Sequence, residues 1–133
     1  MACESCVRIE HEADIVTARQ RGREMAAALG FSSTDQTLVA LAISELARNI
    51  VVYAQRGEIV VSEIEEAGRR GVMVIARDDG PGIVDPELAM RDGYSTTKSL
   101  GVGLPGSRRI MDEFELDSTI GKGTTITMKK WAR

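Results

Sequence analysis

The sequence Asp78-Asp79-Gly80-Pro81-Gly82 places two carboxylates, two glycines and a proline together near the middle of the chain. The apolar run at 72–76 leads directly into it, and such a run bounded by turn residues is typical of a buried strand. Glycines can adopt backbone conformations closed to other residues and let a ligand approach the main chain. The carboxylate of Asp78, at the strand's end, can accept a hydrogen bond from a buried donor such as an exocyclic amine. Asp-Gly and Pro-Gly are also common in ordinary turns, so the interpretation depends on the rest of the chain.

The composition is that of a globular protein. The chain has 133 residues, 28% charged and 43% hydrophobic, which favours a single domain over residues 1–133. A formal net charge of -3 without a basic stripe argues against nucleic acid as a partner. We see neither a signal peptide nor an apolar run approaching about 20 residues, and therefore expect no membrane span and a cytoplasmic location.

Cys3 and Cys6 form a C-x-x-C pair, which raises the question of a metal or redox site. A zinc site needs a second pair of ligands, and the single histidine, His11, supplies at most one ligand. A redox motif of this kind lies at the start of a helix that follows a strand, whereas this pair lies at the N-terminus. We interpret both cysteines as incidental thiols of a reducing cytosol.

Two amphipathic helices are predicted in the first half of the chain, after a short strand at 6–10. In the first helix, at 14–29, apolar or small residues recur at the spacing of one helix face. The second begins at Ser33 or Thr34, with a capping-box sequence, and runs to about Tyr53.

The second helix carries two polar residues in an otherwise apolar stripe. Glu45 and Asn49 lie four residues apart, and therefore on one face, in line with Leu41 and Val52. A carboxylate and an amide are costly to bury without partners. Two interpretations stay open: a functional pair, or a partly exposed rim in which Glu45 pairs with Arg48.

The second half of the chain predicts two hairpins separated by helices and a loop. The hairpin strands lie at 58–66 and 71–77, and at 116–120 and 124–131. Between the hairpins we expect a short helix at 86–91, a polar loop at 92–99, and a helix from Pro105 to about Phe114. This order favours an α/β (α+β) two-layer sandwich, with a mixed, mostly antiparallel sheet and helices packed on one face.

Residues 101–106 match the letters G-x-G-x-x-G. A dinucleotide-binding fold requires this motif to follow a buried strand near the start of a βαβ unit, whereas here it follows a polar loop late in the chain. We therefore reject that fold. The local chemistry still holds, because glycine N–H groups ahead of a helix N-terminus suit a phosphate group. A Walker loop is excluded, since Lys122 is followed by Gly123 rather than by Ser or Thr.

Four ordered motifs together resemble the Bergerat-type ATPases, the superfamily that includes gyrase and the histidine kinases. They are Glu45 with Asn49 on a helix, Asp78-x-Gly80-x-Gly82 after a strand, Gly101-x-Gly103 before a helix, and Gly121-x-Gly123-Thr124 in a hairpin turn. The resemblance covers nearly the whole chain. It implies a sandwich in which ATP lies between the sheet's helices and a flexible lid, here about residues 85–100.

The resemblance also implies an adenine pocket. Asp78 matches the carboxylate that receives the adenine amino group, and Thr124 matches the hydroxyl beside it. Gly80 and Gly82 would shape the pocket.

For the phosphates, the resemblance implies that Asn49 is the Mg2+ ligand and Glu45 the general base. The ATP-binding set would further include the stretch that cradles phosphate, which consists of Gly101, Val102, Gly103 and Leu104. Lys98, in the lid, is a candidate phosphate contact on its charge alone.

Within the superfamily, the chain is too short for the additional domains of gyrase or for the phosphoacceptor domain of a histidine kinase. The stretches 43–50, 101–106 and 110–114 and the Lys130-Trp131 ending are most similar to the switch kinases of the stressosome. That family uses ATP to phosphorylate serine or threonine on STAS-domain scaffold and antagonist proteins, and then activates a PP2C-type phosphatase. The resemblance thus implies ATP and Mg2+ as cofactors and these proteins as partners.

A second function stays open, because the motifs of the ATP site are common to the switch kinases and to the anti-sigma factors. The chain could be an anti-sigma factor that sequesters a sigma factor, with kinase activity toward an anti-anti-sigma protein as its release mechanism.

Overall fold

Five strands and three α-helices make up the part of the chain that the computed structural model describes, residues 4–80, 103–119 and 121–132. In chain order they are β1 (Glu4–Ile9), α1 (Glu12–Ala28), α2 (Ser33–Asn49), β2 (Gly57–Glu66), β3 (Arg69–Asp78), α3 (Gly103–Ile110), β4 (Glu113–Thr119) and β5 (Gly123–Trp131). A π-helical segment, Ile50–Ala54, continues α2.

The strands form one sheet in the order β1-β2-β3-β5-β4, and each neighbouring pair is antiparallel. In the last hairpin the second strand, β5, pairs with β3, and the first strand, β4, lies at the edge of the sheet. Both predicted hairpins are therefore present, and the predicted antiparallel sheet with helices is confirmed.

One face of the sheet forms the core together with the helices. Alternate residues of each inner strand point into it, as the period of two in a strand requires. The buried strand residues of this core are Ile59 and Val61, Val72 and Val74, and Ile126 and Met128. They belong to the same cluster as Ile43 and Leu46 of α2, which are fully buried.

The helices α1 and α2 pack closely because of one glycine. Gly22 lies on the buried face of α1. A Cβ atom at this position would overlap the end of the Ile43 side chain. The missing side chain therefore lets the two helix backbones approach, which sets the position of α2 over the sheet.

The helix predicted from Pro105 to about Phe114 is shorter than expected, because α3 ends at Ile110 and Phe114 lies in β4. After α3, the main-chain N–H of Asp112 donates to the carbonyl of Lys129 at 2.9 Å, and this bond draws the chain into the sheet. The residues after Ile110 therefore leave the helix, and from Glu113 onward they pair with β5 as a strand. The predicted short helix at 86–91 and polar loop at 92–99 lie outside the described residues.

The helical stretch Ser33–Ala54 is 22 residues long and is apolar enough to cross a membrane by length and composition alone. This corrects the expectation that no such stretch exists. Half of its most apolar window is buried inside the structure, and the core helix of a globular protein has the same composition.

We predict that Leu46→Ala lowers the free energy of unfolding by about 2–5 kcal/mol, because it leaves a cavity at a fully buried position. Denaturant unfolding measures this. Val16→Ala on α1 is the matched control, since Val16 is exposed and its truncation should change the free energy by no more than about 0.5 kcal/mol. Equal losses in the two variants would contradict this description of the core.

Candidate functional site

Asp78 lies at the centre of the candidate site, at the end of β3. The register sets it opposite Gly57 of β2 and opposite Thr124 of β5. Its carboxylate accepts a hydrogen bond of 2.9 Å from the main-chain N–H of Gly80, and a further one from the main-chain N–H of Thr124. The carboxylate is thus fixed by the turn that follows the strand and by the neighbouring strand.

Burial raises the pKa of the Asp78 carboxyl above its ordinary value. The two N–H donors, on Gly80 and Thr124, act in the opposite direction, and the adjacent Asp79 adds to the rise. Desolvation is the largest of these effects. The site therefore keeps a carboxylate in a partly dry environment, where a hydrogen bond to a ligand gains strength because water competes less for it.

Two close approaches to Asp78 require glycine. At Gly57, a Cβ atom would overlap the carbonyl oxygen of Arg77 and lie 3.1 Å from the Cβ of Asp78. At Gly123, which has a positive φ of 105°, it would overlap the carbonyl oxygen of Asp78 itself. The backbones of three strands therefore meet at this point more tightly than side chains would allow.

The hydroxyl of Thr124 has a partner on the edge strand. Ser118 of β4 lies opposite Thr124, and the two hydroxyl oxygens are 2.8 Å apart. Ser118 also donates to the carbonyl of Gly123 at 3.3 Å. Asp78, Thr124 and Ser118 therefore lie side by side on β3, β5 and β4, and Ser118 orients the Thr124 hydroxyl that is predicted to contact the ligand. Sequence reasoning missed Ser118, since only the register of the hairpin brings it beside Thr124.

Glu45 is buried in α2, 5% exposed, and pairs with Arg48 on the next turn, 3.2 Å from Nη1 to Oε1. The side chain of Arg48 is 40% exposed. The predicted Glu45–Arg48 pair is therefore present, but the expected partly exposed rim is wrong for Glu45, whose carboxylate is inside. Arg48 compensates the charge of the buried Glu45 carboxylate from the more exposed side, so the carboxylate is stable inside the structure without a second buried charge.

Asn49 is the last residue of α2, and the π-helical segment joins it to the surroundings of Asp78. Ile50 approaches Gly57, where its Cγ2 would lie 2.9 Å from a Cβ atom. Ala54, at the end of the segment, lies against Gly80, with its Cβ 2.6 Å from the corresponding position. Glycine at 57 and 80 thus lets the end of this helical stretch seat against the turn after β3.

The described part of the predicted phosphate-binding stretch consists of Gly103 and Leu104, which open α3. Leu104 is buried in the core cluster, and α3 packs against α2. The structure thus brings the start of α3 onto the same helical layer as Glu45 and Asn49. The other predicted site residues, Gly82, Lys98, Gly101 and Val102, lie outside the described residues.

Cys6, the described member of the C-x-x-C pair, is an exposed free thiol that donates to Glu58 at 3.3 Å. In the ranges that the structure describes, no group of three or more His, Cys, Asp or Glu side chains could hold a metal ion.

The model of the histidine kinase-like ATPase domain family matches residues 10–130. The chain belongs to this family. The predicted resemblance to the superfamily of the histidine kinases is confirmed.

Within the histidine kinase-like ATPase family, two kinds of relative are informative. The serine/threonine-protein kinase RsbT of Bacillus subtilis is 52% identical over 130 residues, which cover 98% of this chain and 98% of the relative. The anti-sigma F factor of Clostridium novyi is 33% identical over 116 residues, which cover 80% of this chain and 81% of the relative. The predicted likeness to the serine-kinase branch is confirmed, and the anti-sigma F factors are more distant.

Two solved structures share the fold. The RsbU and RsbW domains of a Mycobacterium tuberculosis protein align with a TM-score of 0.64 at 22% identity, covering 100% of this chain and 33% of that one. The mycobacterial sensor histidine kinase MprB aligns with a TM-score of 0.57 at 14% identity, covering 98% of this chain and 99% of that one. At these identities the likeness establishes the fold alone.

We predict that Gly123→Ala destabilises the protein by about 2–5 kcal/mol, because backbone strain of about 1–2 kcal/mol adds to overpacking of about 1–3 kcal/mol. Gly121→Ala is the matched control, since Gly121 also has a positive φ but a Cβ there meets nothing within 4 Å. Denaturant unfolding should show the strain alone in the control. Equal losses would mean that the contact with Asp78 contributes nothing.

We predict that Asp78→Asn leaves the free energy of unfolding at neutral pH unchanged or raises it. Because the pKa of Asp78 is raised in the folded state, the carboxyl contributes stability that is fully present below its unfolded pKa of about 4 and is lost as the pH rises through the folded value. Denaturant unfolding at several pH values should therefore show that the free energy of unfolding of the wild type falls relative to that of the variant as the pH rises.

The neighbouring exposed carboxylate offers a matched control, Asp79→Asn, which should not reproduce the trend of the Asp78 variant. A wild-type advantage over Asp78→Asn that stays constant at every pH would contradict the assigned effect of burial.

Proposed function

We propose that this chain is an ATP-dependent serine/threonine-protein kinase, and that residues 1–133 form a single kinase domain of the Bergerat type. The observation that carries the proposal is the 52% identity with RsbT, a serine/threonine-protein kinase, over 98% of both chains. The site fits this chemistry, since a half-buried carboxylate, tightly packed glycines and a buried glutamate lie on adjoining elements.

Asp78 and Thr124 hold the adenine. The Asp78 carboxylate accepts the exocyclic amino group, and its two N–H donors keep it oriented for that bond. The Thr124 hydroxyl, held by Ser118, adds a second polar contact. Gly80 shapes the pocket by letting Ala54 lie against the turn, and Gly82 leaves room for the base close to the backbone.

Asn49 would hold the Mg2+, which would neutralise charge on the phosphates of bound ATP. The N-terminus of α3, with Gly101, Val102, Gly103 and Leu104, donates main-chain N–H groups to phosphate oxygens. Lys98 adds a positive charge. Phosphoryl transfer asks the protein mainly for such positioning and charge stabilisation.

Glu45 acts as the general base. It accepts the proton of the substrate hydroxyl while that oxygen forms its bond to the γ-phosphorus and the bond to the departing ADP breaks. The ion pair with Arg48 helps to hold the carboxylate inside α2. Because Glu45 is buried, water competes little for hydrogen bonds to its carboxylate.

The protein substrates are STAS-domain scaffold and antagonist proteins of a stressosome, and a PP2C-type phosphatase is the partner that the released kinase activates. The support is the likeness to RsbT and the fold shared with a protein that carries RsbU and RsbW domains. We place the chain in the cytoplasm, without a nucleic-acid or membrane partner.

Asn49→Ala is expected to abolish transfer of phosphate from ATP to a purified STAS-domain protein. Glu45→Gln should lower kcat by about 10²- to 10⁴-fold, since it removes the general base but keeps the shape. Radiolabelled ATP and mass spectrometry of the substrate measure both effects.

Thr34→Ala, an exposed position in the first turn of α2, is the control and should retain wild-type activity. Unfolding curves confirm that the variants are folded. Full transfer by both site variants would overturn the assignment of the site, and absence of transfer by the wild type would overturn the kinase function.

The anti-sigma function remains the second candidate, since anti-sigma F factors are 33% identical or less. A direct comparison of affinities separates the two: a purified sigma factor bound more tightly than the STAS-domain protein and the phosphatase would favour the anti-sigma function.

A further inference from the structure

Lys130 is a buried lysine of β5 that the proposed chemistry does not use. It is 5% exposed, and its Nζ donates a hydrogen bond of 2.9 Å to the main-chain carbonyl of Ile110, the last residue of α3. A buried ammonium group is costly unless it is hydrogen-bonded. Because this partner belongs to another element, the contact ties the end of α3 to the sheet.

The C-terminal end of a helix is where such a group is stabilising. The last carbonyl groups of a helix lack partners within it, and the helix dipole concentrates partial negative charge there. Lys130 provides both a donor and a positive charge to the end of α3. The interaction is therefore favourable on two grounds, which explains why a lysine is tolerated on the inner side of β5.

A second contact joins the same two elements. Asp112, two residues after α3, accepts a hydrogen bond of 2.8 Å from the main-chain N–H of Trp131. Its own N–H donates to the carbonyl of Lys129 at 2.9 Å. We call Lys130, Ile110 and Asp112, with these contacts, the α3 anchor.

The other end of α3 carries the proposed phosphate contacts. The helix has eight residues and begins at Gly103. Leu104 and Ser107 are buried and fix the helix sideways, whereas the anchor restrains it along its axis. A helix this short moves as a unit, so a displacement at Ile110 also displaces the N–H groups at its start.

We propose that Lys130 is a positioning residue for the phosphates of ATP, holding α3 by its last carbonyl so that the first turn stays at the phosphate-binding position. This inference rests on the proposed function. Adenine is bound elsewhere, by Asp78 and Thr124. The anchor should therefore affect the affinity for the phosphates and leave the affinity for the base unchanged.

The test compares ATP with adenosine on the wild type and on Lys130→Met, which keeps an unbranched side chain but removes the donor and the charge. Affinity for Mg-ATP, measured by calorimetry, should fall by between about tenfold and a hundredfold, which corresponds to the loss of one hydrogen bond to a charged phosphate oxygen. Affinity for adenosine, measured by chemical-shift titration, should not change. Lys130→Arg, which restores a cationic donor, should recover part of the ATP affinity.

Asp112→Ala provides a second way to weaken the anchor, in case Lys130→Met does not fold. Asp112 is exposed, and its truncation should lower the affinity for ATP but not for adenosine. Ile9→Val is the stability control, because Ile9 is fully buried in β1 at the opposite edge of the sheet. It should lower the unfolding temperature without changing either affinity.

Loss of ATP affinity alone in Lys130→Met or Asp112→Ala would support the inference. Equal loss for ATP and adenosine would reduce Lys130 to a structural role and overturn it, as would two unchanged affinities. A wild-type chain that binds ATP no more tightly than adenosine would overturn the proposed function itself, and this inference with it.

Discussion

The register that sets Asp78 between Gly57 and Thr124 is the constraint on which the candidate site depends. Side chains alternate between the two faces of a sheet, so a slip of one residue in either strand pair would move the carboxylate to the other face. Glycine at 57 and 123 makes the close spacing possible, and the hydrogen bonds that the Asp78 carboxylate accepts from main-chain N–H groups make the arrangement rigid. The turn after β3 and the end of the α2 helical stretch are then built against this fixed point.

Buried polar groups mark the places where the structure departs from a simple apolar core. Glu45 and Lys130 are both nearly inaccessible, and each has a defined partner, Arg48 in one case and the carbonyl of Ile110 in the other. Apolar side chains would fill either position at lower desolvation cost. Glu45 lies on α2, which carries the proposed Mg2+ ligand, and Lys130 holds the end of α3, whose first turn is the proposed phosphate site. Their burial therefore has a chemical reason beyond stability.

The π-helical segment is an irregularity of the backbone that also lies beside the proposed site. π-helical turns are rare and occur often at functional sites. Here the segment begins directly after Asn49 and ends with Ala54 against Gly80. The altered winding thus connects the proposed magnesium ligand with the turn that holds Asp78, and a regular α-helix over the same residues would direct Ala54 differently.

The helices, the hairpins and most of the polar residues around Asp78 are predictable from the sequence alone, because periodicity, glycine and capping residues are local signals. The remaining features follow from packing between elements. The end of α3 at Ile110 depends on a hydrogen bond to Lys129, the hydroxyl pair of Ser118 and Thr124 depends on the register of a hairpin, and the burial of Lys130 depends on a helix that precedes it by about twenty residues. These contacts join residues of different elements, and their energies exist only once the sheet and helices have packed, so that no local pattern in the sequence encodes them.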